Sequence, residues 1–256
     1  MVHNIFNNYR QRMVAITDGV FAIAMTILVL EIAAPAVSEI TSGAALNEYF
    51  ITYLIPSILI YFLSFYIVYN FWENTVILYN FTKVSNDVLS LNVLTMATVC
   101  LTPFATGFLF NFYNYTLVNV FFSLLIMVTS LLYIIMFIIL VRDNYSEYFK
   151  KKDEIKTVID KKHDDGIEFD NLKIYARGVV LTLFYLLLSP FITSIISLVL
   201  AFFSPLASIS SFVLILILRF AIRMKRSTKD QLVNIELTDE ERELVDNIRQ
   251  SIYGED

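Results

Sequence analysis

The chain reads as an all-α integral membrane protein with six transmembrane helices, and three observations carry that reading. Hydrophobic residues make up 57% of the chain, where a soluble domain holds about 45–50%, and mean hydropathy is +0.65. A helix needs roughly 20 apolar residues to cross about 30 Å of hydrocarbon. Runs of that kind recur at about 13–34, 49–71, 88–110, 116–141, 174–203 and 205–222. All nineteen lysines and arginines fall on one side of those runs.

The first span opens on a polar cluster, Arg12, Thr17 and Asp18, and carries no charge from Gly19 to Leu30. An ionisable group at membrane depth is expensive and marks a candidate functional site with a partner. Asp18 is that group, and Arg12 is the nearest partner in sequence. Ile23, Ile27 and Leu30 follow at i, i+4 and i+7, so they stack on one helical face with Thr26 at its edge. Taken alone, such a stripe is that of an ordinary packed or lipid-facing helix. The Ala33-Ala34-Pro35-Ala36 that follows imitates a signal cleavage site. However, the apolar run exceeds a signal h-region and Asp18 interrupts it, so it is read as a span.

The second span carries Pro56 near its outer end, and the fourth is the most uniformly apolar. The fifth is long enough to tilt or to bend at Pro190. The sixth begins at Pro205, which a first helical turn tolerates. Arg10 and Arg12 precede the first span, Lys83 follows the second, nine basic residues lie from Arg142 to Arg177 and seven from Arg219 onward. The loops after spans one, three and five have none. Six spans with both termini cytoplasmic place every positive charge inside; an odd count would not. The cluster Arg219, Arg223, Lys225 and Arg226 is expected to snorkel to the cytoplasmic lipid surface.

The chain thus divides into a six-helix transmembrane region, 1–226, and a cytoplasmic tail, 227–256. The tail holds a capping box, Thr238-Asp239-Glu240-Glu241, ahead of a short amphipathic helix. The loop at 143–173, with His163, Asp164, Asp165, Glu168 and Asp170, reads as a solvated segment of mixed charge and not a metal site. The single cysteine, Cys100, excludes an intramolecular disulfide and reads as a packed thiol. Six glycines, no two adjacent, exclude a glycine-rich phosphate loop and a T-V-G-Y-G carbonyl filter. Neither histidine lies in a span, and Asp18 has no second carboxylate or metal ligand at useful spacing. An enzyme is not expected.

The run Arg12-x-x-x-Ile16-Thr17-Asp18-Gly19, continuing V-F-A-I-A-M-T-I-L-V-L to Leu30, resembles the first-helix signature of the transmembrane protein 175 potassium channels, in their prokaryotic branch. That signature reads R-x-x-x-F-S-D followed by V-F-A-I-A-x-T-x-L-V-L. Ile16 stands in place of Phe, and Thr17, which keeps the hydroxyl, in place of Ser. Ser64-Phe65 and Phe71-Trp72-Glu73-Asn74 resemble the family's second helix. Leu91-Asn92 and Thr102-Pro103-Phe104-x-Thr106 resemble its third. Asn74 and Asn80 occupy places where histidine is common, which removes a His-based pH response. The last three spans share only hydropathy.

The resemblance implies a homotetramer, embedded in a prokaryotic plasma membrane, whose first helices line a central pore. Rings of Ile23, Thr26, Ile27 and Leu30 would form the constriction, with Thr26 alone offering an oxygen. Bulky apolar rings gate by dewetting, so the implied activity is passive potassium conduction with modest preference over sodium. The partners are other copies of the chain, the bilayer and permeant potassium ions; no further cofactor and no nucleic acid is implied. Glu31, Glu39 and Glu48, near the outer mouth, would concentrate cations or are simply solvent-exposed. At the cytoplasmic end, Arg12, Thr17, Asp18, Trp72, Asn74 and Asn92 share one depth and are expected to form an inter-helix polar network. The plainer alternative is that Thr17 and Asp18 only cap the helix. An alternative function is an ion-coupled secondary transporter using Asp18 and Arg12. Such transporters often show an internal repeat and interrupted helices, and the sequence shows neither a repeat nor a break in the first span.

Overall fold

The computed structural model describes the backbone of residues 2–33, 42–79, 85–159 and 167–236, and side chains within 11–33, 42–79, 85–143 and 180–224. Glu39, Asn80, Lys83, the side chains of 144–173 and the capping box at 238–241 lie outside the described residues. The described residues include six stretches long and apolar enough to span: Gln11–Glu31, Gly43–Tyr79, Asn86–Phe112, Thr116–Asp143, Val180–Ala201 and Pro205–Met224.

The first stretch belongs to α1 (Val2–Ile27), which tightens into a 3₁₀ turn over Leu28–Glu31. The expectation of one unbroken helix to residue 34 is therefore corrected. Met13, Thr17, Phe21, Ala24 and Leu28 form its buried stripe. They recur every three or four residues, so one face packs and the opposite face does not. That buried face lies mainly on α4 (Asn86–Phe112) and α3 (Ile55–Tyr79).

The second span is longer than the expected 49–71. It starts at Ser42, whose Oγ accepts from Ala45 N at 3.2 Å and caps α2 (Gly43–Tyr49). A π-helical turn at Phe50–Leu54 joins α2 to α3. The cause lies in Pro56, which brings no N–H and whose ring would clash with the Thr52 carbonyl inside that turn. At its other end α3 runs on to Tyr79. Trp72, Glu73 and Asn74 are thus inside the helix and not at its end.

The fourth and fifth spans are parts of α5 (Thr116–Ile159) and α6 (Ile167–Ala201), which pack extensively on each other. Asn119 closes the α4–α5 turn, its Nδ2 donating to the carbonyls of Tyr113 at 2.7 Å and Tyr115 at 3.0 Å. Pro190 lies inside α6 and withholds the amide that would bond Leu186 O. The sixth span is two helices, α7 (Pro205–Ser211) and α8 (Val213–Glu236), broken at Phe212. Ser204 caps α7 and Pro205 occupies its first turn. Buried hydroxyls tie α5, α6 and α7 together. Ser197 Oγ lies 2.7 Å from Ser123 Oγ and 2.8 Å from Ser208 Oγ. In lipid, where apolar packing alone gives no preference for a neighbour, such bonds hold helices in register. Phe71 stacks on Tyr133, whose hydroxyl meets Thr75 Oγ1 at 2.6 Å, joining α3 to α5. Cys100, read as packed, instead lies on an exposed face of α4.

Candidate functional site

α1 carries two faces of opposite character. On the buried face Thr17 is fully enclosed. Its hydroxyl donates to Met13 O at 2.7 Å, and Asn92 Nδ2 of α4 donates to Thr17 Oγ1 at 2.9 Å. The next residue, Asp18, accepts at Oδ1 from Trp72 Nε1 of α3 at 2.8 Å. Consecutive residues point about 100° apart around a helix, so Thr17 and Asp18 reach two different neighbours. One turn of α1 is held to both α3 and α4.

Two members of the expected network are elsewhere. Arg12 is exposed, and no ion pair joins it to Asp18 among the described residues. Six residues of helix leave two side chains about 120° apart around the axis, so the two do not share a face. Asn74 is buried, but its Oδ1 accepts from Arg219 Nη2 of α8 and not from the first helix. Arg219 does not snorkel to the lipid surface as expected. It is 1% exposed, and its Nη1 donates to Glu73 Oε2 at 2.7 Å. Arg223 pairs with the other carboxylate oxygen, Glu73 Oε1. A charge at this depth is stable only when paired, and Glu73 supplies the counter-charge because α3 continues past it. Glu73 and Arg219 are the site residues that the sequence reading missed. The available signal was a lone carboxylate in one apolar helix and the first charge of another.

On the opposite face of α1, Ile16, Ile23, Thr26, Ile27 and Leu30 are uncovered. Ile23 is 60% and Leu30 77% exposed. Thr26 Oγ1 donates to Ile23 O at 2.9 Å. The hydroxyl proton is thus held by the backbone, and its lone pairs remain outward. Beyond the stripe, the Glu31 carboxylate folds against α4, where a methyl built on Gly107 would overlap Glu31 Oε2. The described residues hold no group of three His, Cys, Asp or Glu side chains able to bind a metal ion.

Fold and site together define a multi-pass helical membrane protein whose first helix is anchored by polar bonds on one face and bare and apolar on the other. Residues 12–103 match the family model described as endosomal/lysosomal potassium channel TMEM175. This is a family of ion channels, not enzymes, and the match bears out the resemblance drawn from the first three spans. A comparison with curated proteins finds no match. Among solved structures, the fold is similar to the crystal structure of a lysosomal potassium-selective channel TMEM175 homolog from Chamaesiphon minutus. The TM-score is 0.60 at 20% identity, over 84% of this chain and 98% of that one. The likeness extends the shared fold past the stretch that the family model covers.

Proposed function

We propose that the chain forms a homotetrameric, passive potassium channel of modest selectivity over sodium, in a prokaryotic plasma membrane with both termini cytoplasmic. The observation that carries this reading is the bare face of α1. A helix anchored through Thr17 and Asp18 keeps Ile23, Thr26, Ile27 and Leu30 turned away from its own chain. Four such faces around an axis make stacked apolar rings with a single hydroxyl layer. A ring of isoleucine too narrow for a hydrated cation closes by dewetting and opens with a small outward movement. Glu31 lies toward the outer end of this path, where a carboxylate raises local cation concentration. The lack of an Arg12–Asp18 pair weakens the transporter alternative, which needs those two charges to work together.

Reconstitution in potassium-loaded liposomes tests the proposal. Potassium is expected to leave down its gradient without added substrate, and Ile23→Asn is expected to increase the flux by hydrating the constriction. Flux that depends on a proton gradient or a second solute would favour a transporter instead. A flux unaffected by Ile23→Asn would remove Ile23 from the constriction.

A further inference from the structure

We propose that Arg219 is a positioning residue for the first helix, acting from the last span through the Trp72–Asn74 turn of α3. The proposal rests on the reading of α1 as the pore helix. Arg219 joins three elements. It donates to Glu73 and Asn74 of α3, and its Nη2 lies 3.5 Å from Leu186 O of α6. Leu186 O is the carbonyl that Pro190 leaves without its helical partner. Pro190 thus leaves an acceptor in α6 for a guanidinium whose planar fork needs several in fixed directions. Arg223 closes the other side of the Glu73 carboxylate.

Trp72 immediately precedes this carboxylate and donates to Asp18. Neighbouring residues of one helical turn therefore point to opposite partners, Trp72 to α1 and Glu73 to α8. The principal packing of α1 is on α3 and α4, with α8 resting on α6 and α7. A force between the last span and the first is therefore carried through this turn. α8 itself continues to Glu236, beyond the apolar stretch that ends at Met224. Rotation of that extension would turn the Arg219 fork, shift Glu73 and reorient the indole that holds Asp18.

Trp72 is the sole tryptophan, so its fluorescence reports on the indole bond directly in the purified, full-length protein. Asp18→Asn, which weakens that bond, sets the reference shift in emission. Arg219→Gln is expected to move the emission in the same direction, with the two effects less than additive, and Arg219→Lys to restore part of it. Ser197→Ala, in the hydroxyl cluster of α6, is expected to leave emission unchanged. In liposomes, Arg219→Gln is expected to alter initial potassium flux about two- to thirtyfold, and to do little more in an Asp18→Asn background. Unchanged emission in an Arg219→Gln protein of native oligomeric state would overturn the proposal, as would flux effects that multiply independently. If Arg219→Gln does not fold, Arg223→Gln, which removes only the exposed arm, must still give a smaller shift of the same sign; no shift overturns it. Absence of wild-type flux would count against the channel reading, and emission alone would then decide whether Arg219 positions Trp72.

Discussion

Thr17 shows how much one hydroxyl does in this molecule. It donates along its own helix to Met13 O and accepts from Asn92 across to α4. Valine has nearly the same shape but neither capacity, and it would leave the Asn92 amide without this acceptor. Thr17→Val is expected to lower stability by about 1 kcal/mol, within the range of single hydrogen bonds between membrane helices. Thr17→Ser is expected to cost much less, because the donor and acceptor remain. Thermal unfolding of the two variants in the same detergent checks the order. The threonine and aspartate were legible as a polar pair from their place ahead of an apolar run. Trp72 was legible as a member of the same polar network, but not as the one partner of Asp18. Arg12 was near in sequence, but helical rotation carries it off the face, whereas Trp72, 54 positions away, meets it at 2.8 Å.

Helices are shaped here by what the backbone lacks. Pro56 and Pro190 each withhold an amide, and the chain answers differently. Near Pro56 the helix widens into a π turn, and near Pro190 the freed Leu186 carbonyl faces side-chain donors, Ser189 Oγ at 2.9 Å and Arg219. The break at Phe212 similarly leaves Ser208 and Ser211 to satisfy the backbone locally, Ser211 Oγ donating to Ser208 O at 2.6 Å. Ser197 is the centre of the hydroxyl cluster joining α5, α6 and α7. Ser197→Ala removes bonds to two helices at once, and is expected to cost about 1–2 kcal/mol, read as a lower unfolding midpoint with potassium flux retained. The polar residues in these helices were visible in the sequence, but hydropathy averages over a window and does not say which of them face one another.

The whole bundle is asymmetric around its first helix. α1 packs on two neighbours and turns an apolar stripe outward, while α4, α5 and α6 form the dense interior. A second copy of the chain would find that stripe as its natural counterpart, and four copies of a 29.5 kDa chain are expected in the native mass spectrum of the detergent-solubilised protein. Leu30→Glu, placing charge on the 77%-exposed end of the stripe, is expected to weaken that assembly or to hold its centre hydrated. A monomeric mass for the wild type would remove the tetramer.

By itself, the sequence determined six stretches apolar enough to cross a membrane and a first helix with a polar start and an apolar stripe. Those are sums over neighbouring residues, set by transfer of side chains into hydrocarbon and by helical period, and they need no knowledge of what lies across the bundle. Tertiary structure alone decided that Arg219 turns inward and not toward lipid, that Asn74 serves the last span and not the first, and which network member Trp72 meets. Each choice depends on whether a counter-charge or acceptor from another helix arrives at the same depth. A charge near a membrane helix end is stable either in the headgroup region or against a buried carboxylate. Only the continuation of α3 past Glu73 and the carbonyl that Pro190 leaves open in α6 settle which.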